Sequence, residues 1–228
     1  MKILRKVIPS SFRRAIRAKF DSIFTDTRFN VERIGNDGAA WWICPELIDQ
    51  EGIVISGGVG NDVSFEKELA IRYGCRVHLF DPSPTGVATM ARSENQLPGM
   101  KFRSVGLAGE SGNVEFGKPE NSVEGSFRLK SETDGDGLRF ECVRLSEFIR
   151  EMPNLKTGIL KLDIEGFEYD VLDDILAQKL YFRQICVEFH HFMPGVSFRK
   201  TLTALLKLRK NGYKIVHKSQ CDYLFVRR

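Results

Sequence analysis

The sequence predicts an open α/β domain, a mostly parallel sheet with helices on both faces. From Ile53 onward, apolar runs of strand length alternate with segments of helical period. The first run, Ile53 to Ser56, is continuously apolar and closes on glycines, as a strand buried on both faces does. The chain then finishes with two strand-like runs around Ser219 to Asp222, a tight turn that puts one antiparallel strand into the sheet. A chain of 228 residues with 42% apolar and 28% charged residues forms one large domain or two small ones and buries a substantial core. Neither a linker rich in Pro, Gly or Ser nor an internal repeat divides it.

The elements follow in order. Asp62 to Tyr73 reads as a helix, with Asn61 or Asp62 as its N-cap and Gly74 just past its end. Arg76 to Phe80 is the second strand. Val87 to Gln96 is a second helix, stopped before Pro98. Lys101 to Leu107 is the third strand. Residues 109–141 hold Gly, Ser and Asn between short β-like pieces at Asn113 to Phe116, Ser126 to Leu129 and Leu138 to Val143, a hairpin excursion. Ser146 to Met152 is a short helix ended by Pro153, and Gly158 to Asp163 is a strand. Phe167 to Leu180 is a helix, Gln184 to Phe189 a strand, and Phe198 to Asn211 a helix closed by Gly212. Lys214 to His217 and Tyr223 to Val226 complete the sheet.

Charge divides the chain. Lys2, Arg5, Lys6, Arg13, Arg14, Arg17 and Lys19 lie in the first 20 residues with no acid among them. With those seven removed from the 34 basic residues, the 30 acids outnumber the bases that remain. The net charge of +4 therefore belongs to the N-terminal segment, and a body built for nucleic acid is disfavoured. Phe12, Ile16, Phe20 and Ile23 or Phe24 recur there at helical spacing. Such a helix either packs on the domain or contacts an anionic membrane surface or acceptor through residues 1–24. We read 1–35 as this basic amphipathic segment and 36–228 as a single domain. No apolar run reaches the ~18 residues of a membrane-spanning helix. Cys44, Cys75, Cys142, Cys186 and Cys221 are scattered and odd in number, which fits free thiols in a reducing, cytoplasmic compartment.

In open α/β sheets ligands bind beyond the carboxyl ends of the strands. The first strand ends in S-G-G-V-G-N-D, Ser56 to Asp62, where Gly58 and Gly60 permit a tight turn and close ligand approach. The dinucleotide pattern G-x-G-x-x-G fails, because Val63 stands at its third glycine, and Asp62 is an acid where a pyrophosphate would lie. The second strand ends at Asp81, about 20 residues beyond the glycines, where an acid accepts from ribose hydroxyls. At the third, Gly106 and Leu107 are placed to flank an adenine ring. The fourth carries Asp163, Glu165 and Glu168 in L-K-L-D-I-E-G-F-E, three carboxylates that packing does not explain. The fifth carries V-E-F-H-H, with Glu188 costly in an apolar run unless paired and His190 at its exit, a base near neutral pH. Asp163, Glu188 and His190 could offer oxygen and nitrogen ligands to a hard divalent ion, but a hydrogen-bonded carboxylate pair is the favoured reading and a required metal is not favoured.

These segments, G-V-G-N-D, F-D-P-S-P, L-K-L-D-I-E-G-F-E and V-E-F-H-H, together resemble the FkbM-type methyltransferases over about residues 40–228, and D-x-E-G-x-E is the most specific part. W-W-I-C-P-E-L-I, Trp41 to Ile48, is similar to a bacterial branch of that family. The resemblance implies a Rossmann-like class I fold with a seven-stranded sheet and methyl transfer from S-adenosylmethionine to a hydroxyl of a sugar, glycolipid or natural product. It implies that Gly58, Gly60, Asn61 and Asp62 hold the methionine part, Asp81 the ribose, and that Asp163 lies near the sulfonium and methyl. Glu165, Glu188 and His190 would face the acceptor, with His190 as base, Glu188 orienting it and Glu165 in reserve. One position departs: class I enzymes commonly carry an acid two residues before the first motif glycine, and here Ser56 stands there. Backbone carbonyls of the turn or Asp62 would then hold the amino group. Trp41 and Trp42 either stack on a sugar or fill the core. The competing readings are an NAD(P)-dependent oxidoreductase and a non-catalytic binding module on the same fold.

Overall fold

The computed structural model describes residues 25–117, 127–130, 137–152, 155–193 and 195–228. The helical pattern expected over Phe12 to Phe24 lies outside the described residues, as does Ser126 at the start of one expected strand. The elements are β1 (Glu32–Ile34), β2 (Trp41–Ile43), β3 (Gly52–Gly57), α1 (Ser64–Arg72), β4 (Arg76–Phe80), α2 (Pro84–Ala91) and β5 (Met100–Arg103). There follow β6 (Gly106–Ala108), β7 (Gly112–Gly117), β8 (Arg128–Leu129), β9 (Leu138–Arg144), α3 (Leu145–Arg150), β10 (Lys156–Leu162) and α4 (Glu168–Ala177). The last are β11 (Gln184–Glu188), α5 (Phe198–Lys210), β12 (Lys214–Ser219) and β13 (Asp222–Val226).

Seven strands form the main sheet in the order β12-β13-β11-β10-β3-β4-β5. β13 runs antiparallel to both β11 and β12, and the remaining pairings are parallel. The strand period of two decides the layers. Ile53 and Ile55 of β3 face the core shared with Phe148 of α3, Leu172 and Ile175 of α4 and Leu208 of α5. Val54 faces the opposite core, where Phe65 and Leu69 of α1 meet Ile43 of the β1–β2 hairpin and Met90 of α2. All six residues of β3 are buried, which explains why that run alternates nothing in sequence.

Three expectations are corrected. The run expected as one strand over Lys101 to Leu107 is two, since β5 ends at Arg103 and β6 joins a second sheet of order β6-β9-β7-β8. Gly106 permits the crossing, because Cys142 Sγ occupies the space a Cβ would need. The second helix begins at Pro84 and not at Val87. Ser83 Oγ accepts from Gly86 N at 3.0 Å, and proline opens the first turn. The boundary expected after residue 35 falls inside the β1–β2 hairpin, where Ile34 pairs with Trp41. The described chain is already tied to the domain at Thr25, which bridges to Ile215 on β12.

Gln184 fastens the hairpin to the sheet. It is fully buried, its Oε1 accepts from Cys44 N at 2.7 Å and its Nε2 donates to Cys44 O at 3.0 Å. Removing it strands two buried backbone groups, each costing about 1–3 kcal/mol. Gln184→Ala is therefore expected to lower the unfolding free energy by about 2 kcal/mol or more in urea titrations. A loss well below 1 kcal/mol would sink this account of the hairpin.

Candidate functional site

The site lies where β3, β4, β10 and β11 end. Asp163 N donates to Gly57 O at 3.1 Å and Gly58 N donates to Phe80 O at 2.9 Å, so three strand ends are stitched together. Gly58 has φ +86, and a Cβ there would collide with the carbonyl oxygen of Asp163. Glycine is thus required by both conformation and space. Gly60 has φ +58 and meets nothing on its open side, leaving bare backbone toward the cleft. Asp81 holds this turn in place. Its Oδ2 accepts from Val59 N at 2.8 Å and Gly60 N at 3.0 Å, and its Oδ1 accepts from Ser83 N at 2.8 Å.

A cleft with a cavity of about 170 Å³ opens at these strand ends. Gly58, Gly60, Asn61, Asp62, Asp81, Gly106, Leu107, Asp163 and Glu165 all line it. The structure therefore gathers every residue the sequence proposed for the cofactor, with Glu165, around one cleft. Asp62 is partly engaged already. Its Oδ1 accepts from Ser64 N at 2.6 Å and its Oδ2 from Asn36 Nδ2 at 3.0 Å. Burial works against the Asp62 carboxylate, but these hydrogen bonds hold its pKa below the usual range. Trp41 lines the cleft with its ring under the Lys161 ammonium. Trp42 instead stacks on His217 at 4.0 Å.

Two further residues were missed in the sequence. Glu66, on α1, is 2% exposed and lines the cleft. Ser56 Oγ donates to its Oε1 at 2.5 Å. A buried carboxylate from the next helix thus stands against Ser56 at the end of β3. Burial raises the Glu66 pKa, and the nearby Lys161 opposes that rise. Lys161, 5% exposed, donates from Nζ to Gly58 O at 2.6 Å and lies 3.8 Å from Asp163. A lysine in the apolar run I-L-K-L was the signal available in sequence, since a charge there needs partners.

Behind the cleft His190 is ringed by acids. Its Nε2 lies 3.3 Å from Glu165, 3.7 Å from Asp163 and 3.8 Å from Glu188, and its Nδ1 lies 3.4 Å from Glu168. Glu168, fully buried, also accepts from the backbone N–H groups of His190 at 2.9 Å and Gly166 at 2.8 Å. Desolvation disfavours the imidazolium, but Glu168, Glu165 and Glu188 outweigh it and push the His190 pKa up to about 9. Burial, with Asp163 adding repulsion, pushes Glu188 up to about 7. Burial and Asp163 also raise Asp222, which pairs with Glu188 across β13 and β11. At neutral pH His190 thus keeps its proton, which is the wrong state for a resting base. Glu165 sits at φ +52, a region non-glycine residues rarely occupy and one that recurs at functional turns.

With this geometry described, the comparisons with known proteins can be stated. Residues 59–215 match the methyltransferase FkbM domain. The chain belongs to the FkbM methyltransferase family. No curated protein sequence matches it. Among solved structures it is similar to TYW2 of M. jannaschii in complex with AdoMet, at 12% identity and TM-score 0.37, with 88% of each chain covered. It is also similar to the fibrillarin pre-rRNA processing protein of Methanococcus jannaschii, at 10% identity and TM-score 0.42, covering 86% of this chain and 81% of that one.

Gly58→Ala tests the stitching of β3 to β10. It is expected to cost about 2 kcal/mol or more, from a disfavoured φ and a backbone clash together. The same substitution at Gly60, where space is open, carries only the conformational part. Equal unfolding midpoints for the two variants would refute this.

Proposed function

We propose that the protein transfers a methyl group from S-adenosylmethionine to a hydroxyl of a sugar, glycolipid or natural product. The observation that carries this reading is the charge of the cleft. Among the described residues that line it, Asp62, Glu66, Asp81, Asp163 and Glu165 are acids, and the cation Lys161 is already engaged with Gly58 and Asp163. Such a lining repels a pyrophosphate and suits a ligand carrying an ammonium and a sulfonium. This weighs against the nicotinamide alternative.

Gly58, Gly60 and Asn61 would hold the methionine part through backbone, and the Glu66 carboxylate would take its ammonium. Asp81 has about four acceptor sites and spends three on the turn, which leaves one for a ribose hydroxyl. Gly106 and Leu107 would bracket the adenine. When bound, the cofactor supplies an activated methyl on a sulfonium. The chain's own work is alignment, exclusion of water and removal of a proton from the acceptor hydroxyl.

For that proton the structure favours Glu188 over His190. A carboxylate pushed up to about 7 is a stronger base than an ordinary one and is ionised above neutrality. His190, protonated between Glu165, Glu168 and Glu188, would keep these acids together and orient Glu188. The positions of Asp163 and Glu165 at the cleft wall, with Glu188 behind them, support an acceptor entering from the β11 side.

Calorimetric titration with S-adenosylhomocysteine and with NAD tests the cofactor. Binding of the first alone, lost in Asp81→Ala and weakened in Glu66→Gln, is the expected outcome, and binding of NAD alone would overturn the reading. For the base, acceptor screening with labelled methyl donor comes first. Glu188→Gln should then lower kcat about 10²–10⁴-fold with cofactor affinity unchanged. Activity should rise with pH through about 7 as Glu188 loses its proton, and fall beyond about 9 as His190 loses its own. A rising limb that persists in Glu188→Gln would assign the base elsewhere.

A further inference from the structure

Four of the seven exposed large apolar side chains among the described residues fall between Phe192 and Leu206. Phe192, Phe198, Leu202 and Leu206 are 62%, 52%, 45% and 67% exposed. Three of them recur every four residues on α5 and form one stripe along the helix, while Thr201, Ala204 and Leu208 face the core. The same helix carries Arg199, Lys200, Lys207, Arg209 and Lys210, all exposed, and no acid. Lys207 is paired with Asp173 on α4 at 2.7 Å, and Lys200 lies over the Tyr169 ring. Arg199 and Lys210 fall beside the apolar stripe by helical position.

We propose that this face of α5 docks on an anionic phospholipid surface. A stripe of large apolar side chains flanked by Arg and Lys, on a helix without acids, is the pattern of a helix lying in a membrane interface. Charge selects among the other occupants. A second copy of the chain would bring two faces of the same sign together. A nucleic acid would engage the cations and leave Phe198, Leu202 and Leu206 in water.

The N-terminal end of α5 approaches the acceptor side of the site. The Phe198 ring contacts His191 at 5.0 Å between centroids, and Phe192 contacts His190 at 5.4 Å. Docking through α5 would thus bring the acceptor side close to the lipid surface, a consequence that rests on the proposed function, whereas docking itself does not.

Flotation of the full chain with vesicles tests the proposal. Phosphatidylcholine vesicles alone should leave the protein unbound, and vesicles containing phosphatidylglycerol should bind it, with affinity falling as salt rises. The triple variant Phe198→Ser, Leu202→Ser, Leu206→Ser keeps every charge and alters only exposed side chains, so its circular dichroism should match the parent. Its affinity should drop about tenfold or more. Undiminished binding by a folded triple variant would overturn the proposal, because residues 1–24 alone would then suffice. Absence of binding to anionic vesicles by the parent would overturn it too, as would a dimer in sedimentation equilibrium that the triple variant dissolves.

Discussion

The site depends on one buried ammonium. Lys161 rises from the middle strand of the sheet into a space bounded by Gly58, Glu66, Asp163 and the ring of Trp41. A buried cation is costly unless paired, and a buried carboxylate equally so. Lys161 and Glu66 make each other tolerable, and the hydrogen bond from Nζ to Gly58 O fixes the glycine turn against β10. Replacing the lysine by an apolar residue would leave Glu66 buried without its nearby cation. The acid-lined cleft exists because its negative charge is partly balanced from below.

A second balance stands beside the first. His190 occupies the centre of four carboxylates, and its proton holds together groups that would otherwise repel. The two cations divide the labour by depth. Lys161 steadies the turn of β3, and His190 steadies the side where β11 ends and β13 begins. Asp163 touches both.

Much of this was legible in the sequence, and the residues show why. Strand ends were readable because an apolar run followed by glycine or acid is a local signal, so Gly58, Asp81 and Asp163 could be assigned to one crevice from topology alone. Glu66 was not readable. It looks like an ordinary surface acid in a charged helix, S-F-E-K-E-L, and only the packing of α1 turns it toward Ser56. The protonation of His190 was hidden for a similar reason, since sequence shows two neighbouring histidines and not the four carboxylates around one of them. The departure of β6 from the main sheet was masked by a continuous apolar stretch, where V-G-L-A prolongs the third strand by composition while Cys142 and a glycine redirect it.

Glu168 joins the two sides of the cleft by its two oxygens. One accepts from Gly166 in the turn that carries Glu165, and the other accepts from His190 at the exit of β11. A buried carboxylate that serves two loops makes their positions a single variable. A molecule that draws one loop inward therefore shifts the other, and linkage requires the effect to run equally in both directions. In such a protein the two loops are not independent fittings on a rigid wall. Each is part of the scale on which the other is weighed.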